Sequence, residues 1–342
     1  MNDTGHDPVR FGVLSTARIN DAVLRSISPS SRLSLLAVAS RDQDRAAAFA
    51  RSHGIERAYG SYDALLADPD VEAVYISLPN FLHVKWSIRA LEAGKHVLCE
   101  KPFTPRALDV EPAFAAARAS GRILSEGFMY RHHPQTRRVA ELIAEGKIGR
   151  VRLIRASFRW PLRDLRDVTE LQPGIDGGAL MYTGCYCVHS ARLFAGAEPD
   201  AVYAEAVPAT TGVDVSCHGT LRFPAGIVAQ FDASLLLPYR QHLELVGEEG
   251  VISLEGPWRV DWGGGTIELW PRRIGPDRGP LERIEIEPAD SFLNEFEHFC
   301  GAVRGEHEPL PGRAETFGQA RTLEALFLSA AERRSVLMSE IT

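Results

Sequence analysis

The first half of the chain alternates short apolar runs with longer segments in which apolar residues return every three or four positions. Val9 to Leu14 is one such run, and it leads through Ser15-Thr16-Ala17-Arg18-Ile19 into a helix reaching about Ile27. Leu33 to Ala39 gives a second strand, with a helix to about His53 after it. Tyr62 to Leu66 reads as a short helix. Val71 to Leu78 is the next strand, and past Pro79-Asn80-Phe81-Leu82-His83 a helix runs to Ala93 and stops on Gly94. Val97-Leu98-Cys99 then ends on Glu100-Lys101-Pro102, where proline lacks the N–H that would extend a sheet ladder. Pro105 opens a helix to about Ser120, and Arg122 to Ser125 closes the series. Strands and helices in strict alternation, joined by short connections, predict right-handed crossovers and a doubly wound parallel sheet over residues 1–126.

After Glu126 the pattern changes. Met129 to Pro134 is an aromatic and basic loop, and Pro134 opens a helix ending near Gly146. Alternating runs follow at Val151 to Phe158, Ala201 to Val207, Val215 to Phe223, Ile227 to Leu235, His242 to Val246 and Val251 to Leu254, with turn residues at Phe223-Pro-Ala-Gly-Ile227 and Gly247-Glu-Glu-Gly250. Helical patterns return at Phe292 to Val303 and from Ala314 to about Arg334. These predict an α+β second domain, residues 127–342, built on a largely antiparallel sheet, with the last helix a candidate to pack back on the first domain.

A chain of 342 residues exceeds one ordinary core, which agrees with two domains. The net charge of −7 argues against a nucleic-acid or anionic-membrane surface. No apolar run approaches the ~20 residues that span a bilayer. Met1 to Pro8 is polar, has no signal core and reads as a flexible lead-in. Five cysteines, an odd number with no C-x-x-C, suit reduced thiols in a cytoplasm. Cys185 and Cys187 read as buried thiols, and no metal is expected.

In parallel α/β sheets, ligands bind beyond the carboxyl ends of the strands. Four strand ends here carry polar groups: Ser15-Thr16, Ser40-Arg41, Pro79-Asn80 and Glu100-Lys101. The first is the place for a dinucleotide phosphate turn. Its glycine fingerprint is not intact, because Gly12 lies inside the strand and Ser15 and Ala17 stand where turn glycines would fall. Small side chains still let the backbone approach a pyrophosphate. Beyond the second strand, an acidic residue would select NAD, whereas Ser40, Arg41 and Arg45 suit the 2′-phosphate of NADP. In the second half, helical spacing places Tyr182, Tyr186 and His189 on one face, a pattern that a core aromatic seam would also give. The long loop Trp160 to Gly178, with Arg163, Asp164, Arg166 and Asp167, is of the kind that shapes substrate pockets.

Taken together, Ser40-Arg41, Pro79-Asn80-x-x-His83, Glu100-Lys101-Pro102 and Gly-Gly-Ala-Leu…Gly184-x-Tyr186 resemble the glucose–fructose oxidoreductase/inositol dehydrogenase (Gfo/Idh/MocA) family over nearly the whole chain. The likeness is greatest to the branch of dimeric dihydrodiol dehydrogenase and NADP-dependent xylose dehydrogenases, and extends to reductases of nucleotide-linked ketosugars. It implies a Rossmann domain, then a domain whose open sheet makes a homodimer or homotetramer. It implies NADP, or NAD, held by Gly12, Ser15, Thr16, Ala17, Arg18, Ile19, Ser40, Arg41, Arg45, Leu78, Pro79, Asn80, His83, Glu100, Lys101 and Pro102. Lys101 is the implied catalytic lysine, and Tyr186 stands at the family's catalytic tyrosine or histidine. Tyr130, Arg131, Trp160, Tyr182 and His189 are the substrate candidates. Many members carry aspartate where this chain has Tyr182, and an acidic residue where it has His189.

The expected activity interconverts a secondary hydroxyl and a ketone or lactone on a sugar, sugar derivative or cyclic diol. Tyr186 would move the proton with Lys101 as its electrostatic partner, or the two roles would be reversed. A nucleotide-linked ketosugar reductase, an NAD-dependent glycosidase and a cofactor-sensing regulator are the alternatives.

Overall fold

The computed structural model describes residues 7–165, 169–258, 265–272 and 281–341. The first six residues of the expected lead-in, and Arg166 and Asp167 of the long loop, lie outside the described residues. The chain divides into two units. The first comprises residues 1–104, 108–129 and 292–317, and the second comprises 105–107, 130–291 and 318–342.

In the first unit the elements run β1 (Val9–Leu14), α1 (Ile19–Ile27), β2 (Leu33–Ala39), α2 (Gln43–His53), β3 (Arg57–Tyr59), α3 (Tyr62–Leu66), β4 (Ala73–Ile76), α4 (His83–Glu92), β5 (His96–Glu100), α5 (Val110–Ser120) and β6 (Leu124–Gly127). The strands pair in parallel in the order β3-β2-β1-β4-β5-β6. The apolar runs have their cause in this sheet: Phe11, Val13, Ala37, Val74 and Val97 are buried in strands covered on both faces. Strand order reverses between β1 and β4, so the connections leaving them diverge and open a crevice at their carboxyl ends. Gly12 has a packing role. An added Cβ would meet Leu65 Cδ2 at 2.6 Å and Val71 Cγ1 at 3.2 Å, so glycine lets α3 approach β1. It sits in mid-strand, as its place in the apolar run predicts, and the contact it makes there is with α3.

The segment 292–317 belongs to this unit, although the sequence pattern assigns it to the second domain. Its Phe296 ring lies 5.4 Å from Phe11 and 5.2 Å from Tyr75, and Phe299 lies 5.9 Å from Phe11. Each such aromatic pair adds about 0.5–1.5 kcal/mol beyond area burial. The apolar stripe of this helix is clear in the sequence; which core it covers is not.

The second unit contains α6 (Pro134–Ala144), β7 (Val151–Arg159), α7 (Cys185–Ala195), β8 (Ala201–Pro208), β9 (Asp214–Arg222), β10 (Val228–Ser234), β11 (Arg240–Gly247), β12 (Gly250–Glu255), β13 (Gly265–Pro271) and β14 (Glu282–Ile286). The helices α8 (Ser291–Val303) and α9 (Arg313–Glu332) and the short β15 (Val336–Leu337) complete the chain. Its sheet runs β14-β13-β12-β11-β7-β10-β9-β8-β15 and is antiparallel except for the β7–β10 pair. Strands β13 and β14 are additions to the strands that the sequence pattern predicts. One face packs: Ile154, Ala156 and Phe158 alternate inward. The other carries Arg155 paired with Glu244 at 2.8 Å and Arg159 with Asp232 at 3.4 Å.

Candidate active site

The loops leaving β1, β2, β4 and β5 make the ligand edge of the first unit. After β1, Ser15 holds φ at +129°, a conformation ordinarily left to glycine. Its hydroxyl accepts the Ala17 N–H at 2.9 Å, and the buried Asn20 amide donates to the Ser15 carbonyl at 2.9 Å. A serine therefore occupies the glycine-like turn, held by two local hydrogen bonds. Strained backbone of this kind concentrates at functional sites. Helix α1 begins at Ile19 with no side-chain cap at Arg18. Its N–H groups and its positive dipole end suit an anion. The turn fits the pyrophosphate of a dinucleotide.

After β2, Ser40 is buried and Arg41 and Arg45 are exposed. Asp42, the acidic residue nearest the strand end, caps α2: its carboxylate accepts the Arg45 N–H at 2.8 Å. After β4, Leu78 is buried and Asn80 is half-buried. His83 lies fully buried, with Nδ1 2.9 Å from the Pro102 carbonyl and Nε2 2.7 Å from the Leu78 carbonyl. It ties the β4 loop to the β5 loop, so the cofactor role expected of it becomes one of bracing the residues around it.

After β5, the Lys101-Pro102 bond is cis. Tyr75 donates its hydroxyl to Glu100 Oε1 at 2.6 Å, and the Lys101 N–H reaches Glu100 Oε2 at 3.2 Å. Burial, then the Glu100 charge, pushes the Tyr75 phenol well above its usual range, so it remains a donor. Phe103 N–H donates to Glu126 Oε1 at 2.8 Å. The strand end carrying Lys101 is thus fixed on both sides by carboxylates. Nearby Glu295 is buried, with no hydrogen-bond partner for either oxygen among the described residues, and burial followed by the Glu100 charge raises its carboxyl far above the usual range.

In the second unit, Tyr186 lies in the first turn of α7, one residue past its start at Cys185, and is 6% exposed. Phe158 lies 5.3 Å from it, Tyr130 6.0 Å and Trp258 6.3 Å, ring centre to ring centre. Three aromatic rings therefore leave the Tyr186 phenol little freedom. Tyr130 bonds His189 Nδ1 at 2.5 Å, and both are 1% exposed. This buried pair stands behind Tyr186, one turn along the helix. Tyr182 does not share their face: it is 37% exposed. The reason is a π-turn at Leu180–Gly184. One extra residue in a turn rotates what precedes it by about 100°, one residue's share of a 3.6-residue turn. Regular helical spacing could not reveal that.

Arg131 is half-buried, and Trp160 packs edge-on against Tyr239 at 5.6 Å. Asp214, at the start of β9, accepts the Leu180 N–H at 2.7 Å. Burial pushes its carboxyl up to about 7, against the pull of the Leu180 and Ala179 N–H groups. No local pattern marks this residue, which lies 34 positions from its partner. Among the described residues no group of three or more His, Cys, Asp or Glu side chains is placed to hold a metal.

Residues 9–128 match the model of an oxidoreductase family with an NAD-binding Rossmann fold, and residues 136–253 match the GFO/IDH/MocA C-terminal domain. An uncharacterized oxidoreductase of Rhizobium meliloti is 39% identical, covering 95% of this chain and 97% of its own. A D-xylose 1-dehydrogenase (NADP+) of Haloferax volcanii is 38% identical over 94% of this chain and 97% of that protein. The crystal structure of KijD10, a 3-ketoreductase from Actinomadura kijaniata in complex with NADP and TDP-benzene, superposes with a TM-score of 0.87 at 32% identity, covering 94% of this chain and 98% of KijD10. Lys101 and Tyr186 lie within the matched ranges, and the chain belongs to the Gfo/Idh/MocA oxidoreductase family.

Proposed function

We propose that this protein is an NADP-dependent dehydrogenase or reductase acting at a secondary hydroxyl or ketone of a sugar, sugar derivative or cyclic diol. The observation that carries the reading is the ligand edge of the first unit. There an uncapped helix start suits a pyrophosphate, Ser40-Arg41 suits a 2′-phosphate, and Lys101 closes β5. Support comes also from the relatives, among them a xylose dehydrogenase using NADP+ and a 3-ketoreductase crystallised with NADP.

A bound nicotinamide would supply the hydride chemistry, and the chain's own residues bind, orient and handle the proton. The turn Ser15-Thr16-Ala17-Arg18-Ile19 would hold the pyrophosphate, Ser40, Arg41 and Arg45 would hold the 2′-phosphate, and Leu78, Pro79, Asn80 and Pro102 would take the nicotinamide end. Tyr186 gives its proton to the oxygen of a ketone, or takes the proton of an alcohol. Lys101 hydrogen-bonds that oxygen and offsets the phenolate charge. Glu100, itself held by Tyr75, aims Lys101. Arg131, Trp160 and Tyr182 contact substrate, while Tyr130 and His189 hold the Tyr186 helix from behind.

The open face of the C-terminal sheet is the surface for a homodimer or homotetramer, which light scattering on a sizing column reads directly. The five buried cysteines suit a reducing cytoplasm. The test of the activity is absorbance at the nicotinamide band with two substrate panels. D-xylose, D-glucose, inositol and trans-cyclohexanediol are offered with NADP+, and simple and nucleotide-linked ketosugars with NADPH. Net conversion of cofactor with any of them is the expected result. Glycoside cleavage without net conversion would overturn it.

A further inference from the structure

The helix that carries Tyr186 starts without a capping side chain of its own. Gly177 and Gly178 have none to offer, and Ala179 makes no side-chain cap. The cap comes from another element. Asp214, 8% exposed at the head of β9, takes the Leu180 N–H at 2.7 Å. Its position demands a glycine opposite. Gly178 holds φ at +98°, and a Cβ there would collide with Asp214 Oδ1. The far end of the π-turn is fixed as well. A Cβ on Gly184 would meet Leu180 Cδ1 at 3.0 Å and Ala233 Cβ of β10 at 3.2 Å. Between these two points the turn carries one residue more than an α-turn, and Tyr186 follows at once.

We propose that Asp214 is a positioning residue of the reaction, whose carboxylate fixes the start of the Leu180–Gly184 π-turn and so sets where Tyr186 presents its phenol. The inference rests on the proton-transfer role proposed for Tyr186. A helix start without acceptors leaves N–H groups unsatisfied, and a π-turn is the less stable form of helix. With the carboxylate removed, the turn can close to an α-turn. That rotates Tyr186 relative to Gly178 by up to about 100°. Misplacement of a reacting group by about 1 Å already costs on the order of 100-fold in rate.

The test compares D214A, D214N and G178A with wild type, using the fastest substrate of the panels above and counting folded sites by NADPH binding. D214A should lose at least about 30-fold in kcat per NADPH-binding site, with KM and NADPH affinity within about twofold. D214N keeps an oxygen for Leu180 and should recover most of the rate. G178A, which displaces the carboxylate, should reproduce the D214A pattern and decides the matter if D214A does not fold. In a Y186F background D214A should cost little more, because the residue it positions is gone. Wild-type kcat in D214A and G178A, or fully additive losses with Y186F, would overturn the proposal. An unimpaired Y186F enzyme would instead overturn the role of Tyr186. Should no panel substrate turn over, hydrogen exchange decides the placement. The Leu180–Tyr186 amides should exchange at least about tenfold faster in D214A, with β1–β6 unchanged; equal rates would sink it.

Discussion

Replacing Arg41 by alanine should weaken NADPH binding and leave NADH binding nearly intact. The reasoning starts from Asp42. An acidic side chain past β2 would ordinarily take the adenosine ribose hydroxyls, but this one already accepts the Arg45 N–H at 2.8 Å to cap α2. The groups left at the strand end are the Ser40 hydroxyl and the guanidinium groups of Arg41 and Arg45. A charge-assisted hydrogen bond to phosphate is worth about 1.5–3 kcal/mol. Arg41 is exposed, so screening puts the expected loss near the lower end, about 1.5–2 kcal/mol, or roughly 10–30-fold in Kd. Fluorescence titrations with both cofactors at one ionic strength measure the ratio directly, and R45A in parallel divides the effect between the two arginines. The discrimination should shrink as salt is raised. Equal losses for NADPH and NADH in R41A, or tighter binding of NADH by the wild type, would refute the assignment. D42N should cost about 1 kcal/mol of stability through the lost cap without changing the cofactor ratio.

Two titrations test the buried polar groups of the first unit. Glu295 has its carboxyl raised far above the usual 4.5 by burial and by Glu100. The stability it contributes is therefore fully present below about 4.5 and is lost as pH rises toward its folded value. E295Q should remove that slope in urea melts between pH 5 and 8, and an unchanged slope would contradict the neutral, buried carboxyl. His96 is the opposite case, lowered from 6.5 to about 4 by burial and the neighbouring Arg122. Its contribution is present above 6.5 and is lost as pH falls through about 4. At about 1.4 kcal/mol per pH unit this amounts to roughly 3 kcal/mol. H96Q should flatten the acid limb of the stability profile, and a limb as steep as wild type would refute the neutral ring.

The parallel sheet was legible because its strands are buried on both faces and so read as continuous apolar runs, each ending on a polar pair at the ligand edge. Lys101 and Glu100 stood out for the same reason: charge and proline interrupt a run that packing alone would have continued. The destination of 292–317 was not legible, since Phe296 and Phe299 announce an apolar face but not that it meets Phe11 and Tyr75. Strands β13 and β14 are hard to see because they are short: Ile267 and Leu269 do alternate with Thr266 and Glu268, and Ile284 and Ile286 flank Glu285, but two apolar positions in each make a weak signal. Around Tyr186 the sequence marked suitable residues but not their geometry. A 3.6-residue period put Tyr182 beside Tyr186, and the π-turn separates them. His83, Tyr130 and His189 were visible as polar candidates, yet their hydrogen-bond partners are buried protein groups, which no spacing reveals. Asp214 left no trace at all, because its partner helix begins 34 residues earlier.

The measurement that bears most directly on the account is single-turnover hydride transfer by K101A beside wild type, with NADPH binding titrated on the same samples. Lys101 sits where β5 ends, its backbone held by Glu100 and its neighbour Pro102 braced by His83. The account predicts a rate lowered at least about 100-fold with cofactor binding preserved. A K101A enzyme that keeps more than about a tenth of the wild-type rate would contradict the central role given to that strand end.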